Sequence, residues 1–301
     1  MDKHVQDRHS ALLPLPMKSA VNCAFLKREP MQTPTLQELR KKPHLSASSV
    51  NSYIDCSLSY KFSKIDFIPQ EFVSDAMIFG SCIHKALEFF HKERAQNNNN
   101  RLPLSQLHET FENVWRFEAA ENTRIQYKAG NSYENLLNLG KSLLTTYYNN
   151  LPDENYKVIG VEVPFSLNIE GLPIPIIGAV DLIEEDESGT IIITDFKTAA
   201  KAYSSTDIDN SFQLTIYNLA FKTNNFSDRE IILKFDCLIK TKVAKFEQYY
   251  TIRTATEEKM AIKKIMAVYD GICKGVFIPN NNSWKCSGCA YTKECQEWLL
   301  N

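Results

Sequence analysis

Apolar positions recur along this chain in two rhythms, and the switch between them outlines its architecture. From Leu45 onward the spacing is helical. Leu45-Ser46-Ala47-Ser48 opens a predicted helix running to about Tyr60, with a serine as its N-cap. Residues 79–96 (FGSCIHKALEFFHKERAQ) place Ile83, Ala86, Leu87 and Phe90 on one face of an amphipathic helix. The run Asn97 to Asn100 breaks it, and residues 103–150 read as two or three further helices. The rhythm then shortens. A strand is predicted at 156–168, followed by two runs, Gly178 to Glu184 and Thr190 to Thr194, around the acidic turn Glu185-Asp186-Glu187-Ser188-Gly189. Two short strands around a glycine-containing turn predict a β-hairpin. A helix at 209–223 with Phe212, Ile216, Leu219 and Ala220 as its apolar stripe, strands at 230–240 and 244–252, and a helix at 255–274 complete the pattern before a cysteine-rich tail.

Residues 1–45 carry Pro14, Pro16, Pro30, Pro34 and Pro43 without periodicity and are expected to form a loosely ordered extension. There is no internal repeat. Strands cluster between 156 and 252, with helices before, between and after them. That distribution predicts one α/β (α+β) domain over 46–301, with a helical region at 97–150, and not two independent domains.

Composition narrows the class only slightly. The 301 residues are 44% hydrophobic and 23% charged, as in an ordinary soluble globular chain. No stretch approaches the roughly 20 apolar residues of a membrane span, and the N-terminus lacks a charged-apolar-small signal pattern, so a cytoplasmic location with no membrane partner is expected. The net charge of −2 gives no global attraction for nucleic acid, so any such contact requires local basic patches.

The hairpin holds the most informative chemistry. Side chains alternate along a strand, so Asp195 and Lys197 share one face, with Ile191 and Ile193 behind them. If Asp181 points the same way, two carboxylates and an ammonium meet, as in a divalent-metal site with a lysine beside it. Carboxylates set within runs of Ile, Val and Leu are costly to bury unless paired or bound to metal. Glu162, between Val161 and Val163, is a carboxylate in a similarly odd place. His84 lies at the edge of its helix's apolar stripe, and Gln213 and Tyr217, spaced i, i+4, point together from the helix after the hairpin.

Eight cysteines in a chain without a secretion signal point to metal or redox use. Cys286, Cys289 and Cys295 form C-x2-C-x5-C in the tail, and three thiolates around one metal need a fourth. Cys56 is the best candidate, with Cys23, Cys82, Cys237 and Cys273 as alternatives. Spacing does not distinguish zinc from an iron–sulfur cluster.

Taken together, these motifs resemble the PD-(D/E)XK nuclease superfamily and, within it, the RecB-like branch. Gly80-Ser81-x-x-His84-x-x-Leu87-Glu88 is similar to the family's G-T-x-x-H-x-x-L-E helix, with serine in place of threonine. Gly178-x-x-Asp181 and Asp195-Phe196-Lys197-Thr198 resemble its G-x-x-D and D-x-K-T pair, and Gln213-x-x-x-Tyr217 its Q-x-x-x-Y helix. Cys56 with Cys286, Cys289 and Cys295 resembles the iron–sulfur staple of AddB and of the CRISPR-associated adaptation exonuclease.

The resemblance implies a restriction-endonuclease-like core, a central mixed sheet flanked by helices, with an iron–sulfur-stapled C-terminus. It implies Asp181, Asp195, His84 and the Phe196 carbonyl as ligands of Mg²⁺ or Mn²⁺, and Lys197, Gln213 and Tyr217 as catalytic or positioning groups. A [4Fe-4S] cluster on the four cysteines follows by the same analogy, with zinc as the alternative. The implied activity is metal-dependent exonucleolytic cleavage of DNA, at ends or on single strands, in recombination, repair or phage DNA processing. The alternatives are a CRISPR-adaptation nuclease trimming spacer precursors and a non-catalytic DNA-end-binding module. No G-x-x-x-x-G-K-[ST] loop is present, so ATP-driven unwinding would fall to a partner helicase.

Overall fold

The structure, a computed structural model, describes residues 34–121, 124–152, 156–224 and 226–300. The proline-rich segment 1–33 of the expected extension lies outside the described residues. The remainder of that extension belongs to the folded body. Leu36–Leu39 forms a one-turn helix, α1, closed by a capping box between Thr35 and Glu38. Leu45 is buried and bridges to Ile176, so the boundary expected at 46 moves upstream.

The single helix expected from 46 to 60 is two helices, α2 (Ala47–Asp55) and α3 (Ser57–Lys64). Ser46 caps α2 as predicted, accepting from the Ser49 amide. Cys56 interrupts the run with extended backbone, φ −163° and ψ 101°. The interruption ties this segment to a distant one: Ser57 Oγ donates to the Ile278 carbonyl and accepts from its amide.

A two-residue strand β1 (Val73–Ser74) leads into α4 (Asp75–Gln96), which starts one turn before its predicted position. Its stripe Ile83, Ala86, Leu87 and Phe90 is fully buried, as the spacing predicts. The asparagine run ends it, with Asn98 and Asn99 in the left-handed region that asparagine tolerates (φ 51° and 68°). Next come α5 (Leu104–Glu121), the short strand β2 (Ile125–Gln126) and α6 (Tyr133–Asn150).

The main sheet comprises β3 (Lys157–Leu167), β4 (Ile176–Glu185), β5 (Ile191–Ala199), β6 (Ile231–Ile239) and β7 (Lys245–Thr251), in that spatial order. Only β5 and β6 run parallel, so the sheet is mixed. The crossover between them carries α7 (Ser205–Asp209) and α8 (Phe212–Asn224). After β7 follow α9 (Ala255–Cys273), a 3-10 turn at Trp284–Gly288 and α10 (Thr292–Leu300).

Helices cover both faces of the sheet, and each face has its own core. On one face Ile183, Ile191, Ile193 and Leu233 pack with Val50 of α2, Ile216 of α8 and Ile265 of α9. On the other, Leu182, Phe196 and Leu238 pack with Phe90 of α4, Trp115 of α5 and Tyr147 of α6. Because α8 is sandwiched, its burial is wider than the predicted stripe and takes in Leu214, Thr215, Tyr217 and Asn218, while Leu219 is only half-buried.

Beneath β5, the second core holds a set of charges. Arg94 Nη1 donates to Glu184 Oε1 at 3.3 Å and to His91 Nδ1 at 3.0 Å. The Lys234 ammonium lies 3.5 Å from Glu184 Oε2 and 3.6 Å from Asp236 Oδ1. Burial first, then Arg94 and Lys234, hold the His91 imidazole well below its ordinary pKa. The neutral ring accepts from Arg94, hydrogen-bonds the Tyr147 hydroxyl and stacks on Phe196 with centroids 5.5 Å apart.

Candidate active site

The site forms where β4 and β5 part. Their ladder runs from Glu185–Ile191 to Leu182–Thr194 and stops there. One residue further, the Asp181 side chain replaces the backbone as acceptor, and its Oδ2 takes the Phe196 N–H at 2.7 Å. The remainder of β5 stays paired with β6, so Asp195 to Ala199 have an open edge towards β4. Two glycines of the sequence motifs allow close approach here. A Cβ at Gly80 would lie 3.3 Å from Thr198 Oγ1, where α4 meets β5. A Cβ at Gly178 would lie 2.6 Å from the Phe165 ring, so a side chain there would displace β3.

Asp195, 1% exposed, lies within a closed ring of polar contacts. Lys197 Nζ is 2.6 Å from Asp195 Oδ2 and donates to Gln213 Oε1 at 2.8 Å. Gln213 Nε2 donates to Asp195 Oδ1 at 2.6 Å and to the Tyr217 hydroxyl at 2.7 Å. Tyr217 in turn donates to Asp195 Oδ1 at 3.1 Å. The i, i+4 pair on α8 thus brackets one carboxylate. Burial raises the Asp195 pKa, Lys197 opposes the shift and Asp181 adds to it. Burial lowers the pKa of Lys197, but the Asp195 carboxylate more than compensates, and the ammonium is held above its ordinary value.

His84 reaches the site from the opposite helical layer, its Nδ1 3.5 Å from Asp181 Oδ2. Burial disfavours its charged form, and the Asp181 hydrogen bond with the nearby carboxylates overcomes that, leaving its pKa raised. Glu162, whose role the sequence left open, lies in β3 between the pairs Val161–Leu182 and Val163–Val180, opposite Asp181. Its backbone is left-handed, φ 51°, a strained choice for a non-glycine residue that re-aims the side chain.

Glu162, His84, Asp181, Asp195, Lys197, Gln213 and Tyr217 all line one cavity of about 1140 Å³. Among the described residues, no three His, Cys, Asp or Glu side chains form a ready-made metal cage. The donors face the same space but not one point, since Asp195 is turned to Lys197 and Asp181 to the Phe196 amide. As a donor set, two buried carboxylates and an imidazole fit Mg²⁺ or Mn²⁺.

Burial first, then Asp181 and Glu88, raise the Glu162 pKa to about 7. The folded protein therefore holds this proton more tightly than the unfolded chain does. Metal-free stability should decline as pH rises from about 4.5 to about 7 and stay low above that. Thermal melts of the metal-free protein against pH should show this decline, and Glu162→Gln should flatten it. An unchanged slope in the variant would move the effect to another group.

Cys56 and the three tail cysteines share one cavity but, among the described residues, form no metal-holding group. Cys56, Cys286, Cys289 and Cys295 line a second cavity of about 180 Å³, with Leu58, Phe62 and Tyr291 among its walls. Burial, then Cys56, Cys289 and Cys286, raise the Cys295 thiol pKa. Of the alternatives, Cys82 and Cys237 are buried elsewhere, with thiols pushed up to about 12, and Cys273 is exposed on α9. Cys23 lies outside the described residues.

Sequence reading missed the further basic residues of the cavity lining, Arg40, His44, Lys64 and Lys285. No local periodicity marks these scattered cations. It also missed the charges beneath β5, because Glu184, Lys234 and Asp236 sit singly in apolar strands.

No curated protein matches the chain. A solved structure of a candidate exonuclease from Eubacterium rectale is similar with a TM-score of 0.52 and 10% identity, covering 81% of this chain and 87% of that one. The likeness is one of fold. The structure of SSO0001 aligns with a TM-score of 0.33 and 16% identity over 81% of this chain and 90% of that one, too loosely to carry an argument. The model of the PD-(D/E)XK nuclease superfamily matches residues 44–296, a span that contains the parted strands, the ring around Asp195 and the tail cysteines. The chain belongs to the PD-(D/E)XK nuclease superfamily.

Proposed function

We propose that this nuclease is a Mg²⁺- or Mn²⁺-dependent deoxyribonuclease of the RecB-like branch, acting as an exonuclease on DNA ends or single strands. The observation that supports this reading best is the closed ring Asp195–Lys197–Gln213–Tyr217, which shares one cavity with Asp181 and His84.

Asp181, Asp195, His84 and the Phe196 carbonyl would hold the ion. A divalent ion there supplies an activated water and offsets charge on the scissile phosphate. Lys197 stays protonated and keeps its ammonium beside the ligand Asp195, where it neutralises charge developing on a phosphoryl oxygen and orients the attacking water. Gln213 fixes both neighbours at once: its amide nitrogen serves Asp195 and its carbonyl serves Lys197, so the side chain has one orientation. Tyr217 holds Asp195 from the other side. Glu162, with a pKa of about 7, can give or take a proton near neutral pH, as a leaving oxyanion requires.

The pathway we assign is recombination, repair or phage DNA processing in the cytoplasm, with unwinding left to a partner helicase. Spacer trimming with a CRISPR-adaptation partner is the runner-up. The test is Mn²⁺-dependent digestion of end-labelled single- and double-stranded DNA, in which release of label from one end defines polarity. Intact DNA under all metal conditions would leave the end-binding module as the function.

The reading extends to a [4Fe-4S] cluster on Cys56, Cys286, Cys289 and Cys295, with zinc as the alternative. A link from residue 56 to 286–295 closes most of the domain into a loop, so its contribution is to folding. Cys289→Ser should lose iron in anaerobic purification and melt at a lower temperature, while its folded fraction keeps the wild-type rate. A fully folded, iron-loaded but inactive variant would overturn this assignment.

A further inference from the structure

Lys197 makes one contact outside the polar ring around Asp195. Its Nζ lies over the face of Phe235, 5.1 Å from the phenyl centroid. That is within the roughly 6 Å at which a cation is drawn to the negative face of an aromatic side chain. The sheet puts Phe235 there. It pairs with Asp195 in the parallel register of β5 and β6, so Asp195, Lys197 and Phe235 share one face. The phenyl group is 3% exposed and belongs to the core that packs against α8. Tyr203 braces it, with centroids 5.7 Å apart, and Tyr249 braces Tyr203 at 6.4 Å.

A lysine is hard to hold in one place, because its ammonium is a point charge on a flexible four-carbon stem. Two anchors of Lys197 are polar, Asp195 Oδ2 and Gln213 Oε1. Asp195 is also proposed to hold the ion, so that anchor is shared. A phenyl face offers nothing to a hard cation, which takes oxygen ligands, so the attraction of Phe235 stays with Lys197. The lysine side chain is 25% exposed, and partial desolvation strengthens such a contact relative to one in open water. Plain packing of the lysine stem on an apolar neighbour would also bring the two together, but its strength would not depend on the charge of the phenyl face.

We propose that Phe235 is a positioning residue for hydrolysis: its face fixes the Lys197 ammonium where it acts on the phosphate and the attacking water. The proposal rests on the nuclease reading above.

The test replaces Phe235 in the full chain, by amber suppression, with phenylalanines carrying one, two or three ring fluorines. Each fluorine drains negative charge from the face and changes the shape little. The kcat of Mn²⁺-dependent DNA hydrolysis should fall steadily along the series, by about tenfold at three fluorines, in line with the worth of a partly desolvated cation–π contact. KM and the Mn²⁺-induced rise in melting temperature should stay at their wild-type values. The same three residues at Phe221, which is buried in the same core and stacks on Phe226, should leave kcat unchanged.

A second readout needs neither metal nor turnover. In metal-free protein with ¹³C-labelled lysine, the protons on Lys197 Cε should be shifted upfield by the phenyl ring current, and Phe235→Leu should return them downfield. Lys197→Met assigns the signal. With an active wild type, a flat series at Phe235 or an equal fall at Phe221 would overturn the proposal alone, as would a Lys197 signal that Phe235→Leu does not move. A wild type without Mn²⁺-dependent hydrolysis would defeat the nuclease reading and the proposal with it.

Discussion

Asp195→Asn should lower DNA hydrolysis by about a thousandfold or more, equivalent to roughly 4 kcal/mol of transition-state stabilisation. The substitution keeps the shape of a side chain that is 1% exposed, so the fold should persist, and Lys197, Gln213 and Tyr217 should remain near it. What it removes is the anionic donor proposed to hold the ion. A second readout follows. A ligand bound only by the folded state stabilises it, by about 2.7 kcal/mol at a hundred times its dissociation constant. Mn²⁺ should therefore raise the melting temperature of the wild type and have little effect on Asp195→Asn. Lys197→Met should show the opposite split, keeping most of the Mn²⁺ stabilisation while losing hydrolysis to a similar degree. Full activity in Asp195→Asn, or loss of Mn²⁺ stabilisation only in Lys197→Met, would reverse these roles.

Glu184→Ala should be among the most destabilising single changes in the protein. Its carboxylate faces both Arg94 and Lys234, and the lysine is only 2% exposed. After truncation, Asp236 remains as an anion for Lys234, and Arg94 loses its carboxylate partner. Breaking a buried pair from one side costs about 3–5 kcal/mol, because the surviving charge stays out of water. For a domain of this size that lowers the melting temperature by on the order of 10 °C. Glu184→Gln, which can still accept from Arg94, should fall in between. A loss below about 1 kcal/mol would place these charges with ordinary exposed pairs. Since Phe196 stacks on His91 within this network, the loosening should also be felt beneath the strand that bears Asp195 and Lys197.

Much of this was legible in the sequence, for reasons that differ between elements. Helix α4 was readable because its apolar residues repeat at 3.6, although the polar His91 and Arg94 are buried with them. The hairpin was readable because a glycine-bearing acidic turn separates two β-branched runs. Cys56 was not readable as a helix break, because the cause lies more than 200 residues away in the contacts of Ser57 with Ile278. The breadth of burial on α8 came from being packed on two sides, which one amphipathic stripe cannot report. At the site, the motif residues line one cavity, whereas Glu162 reaches it through a left-handed backbone that no pattern of residue types specifies. Arg40, Lys64 and Lys285 of the cavity lining come from distant parts of the chain, and only the fold assembles them.

The hydrogen bond from the Phe196 amide to Asp181 has a consequence for how the site can be observed. That N–H bridges β5 to a side chain proposed to hold the ion, at a point where the sheet ladder has already ended. Its proton shift and exchange rate therefore depend on the charge carried by one carboxylate. In a ¹⁵N-labelled sample, the Phe196 resonance should move as the site loads, so a single backbone signal would report occupancy and exchange of the ion without substrate or turnover.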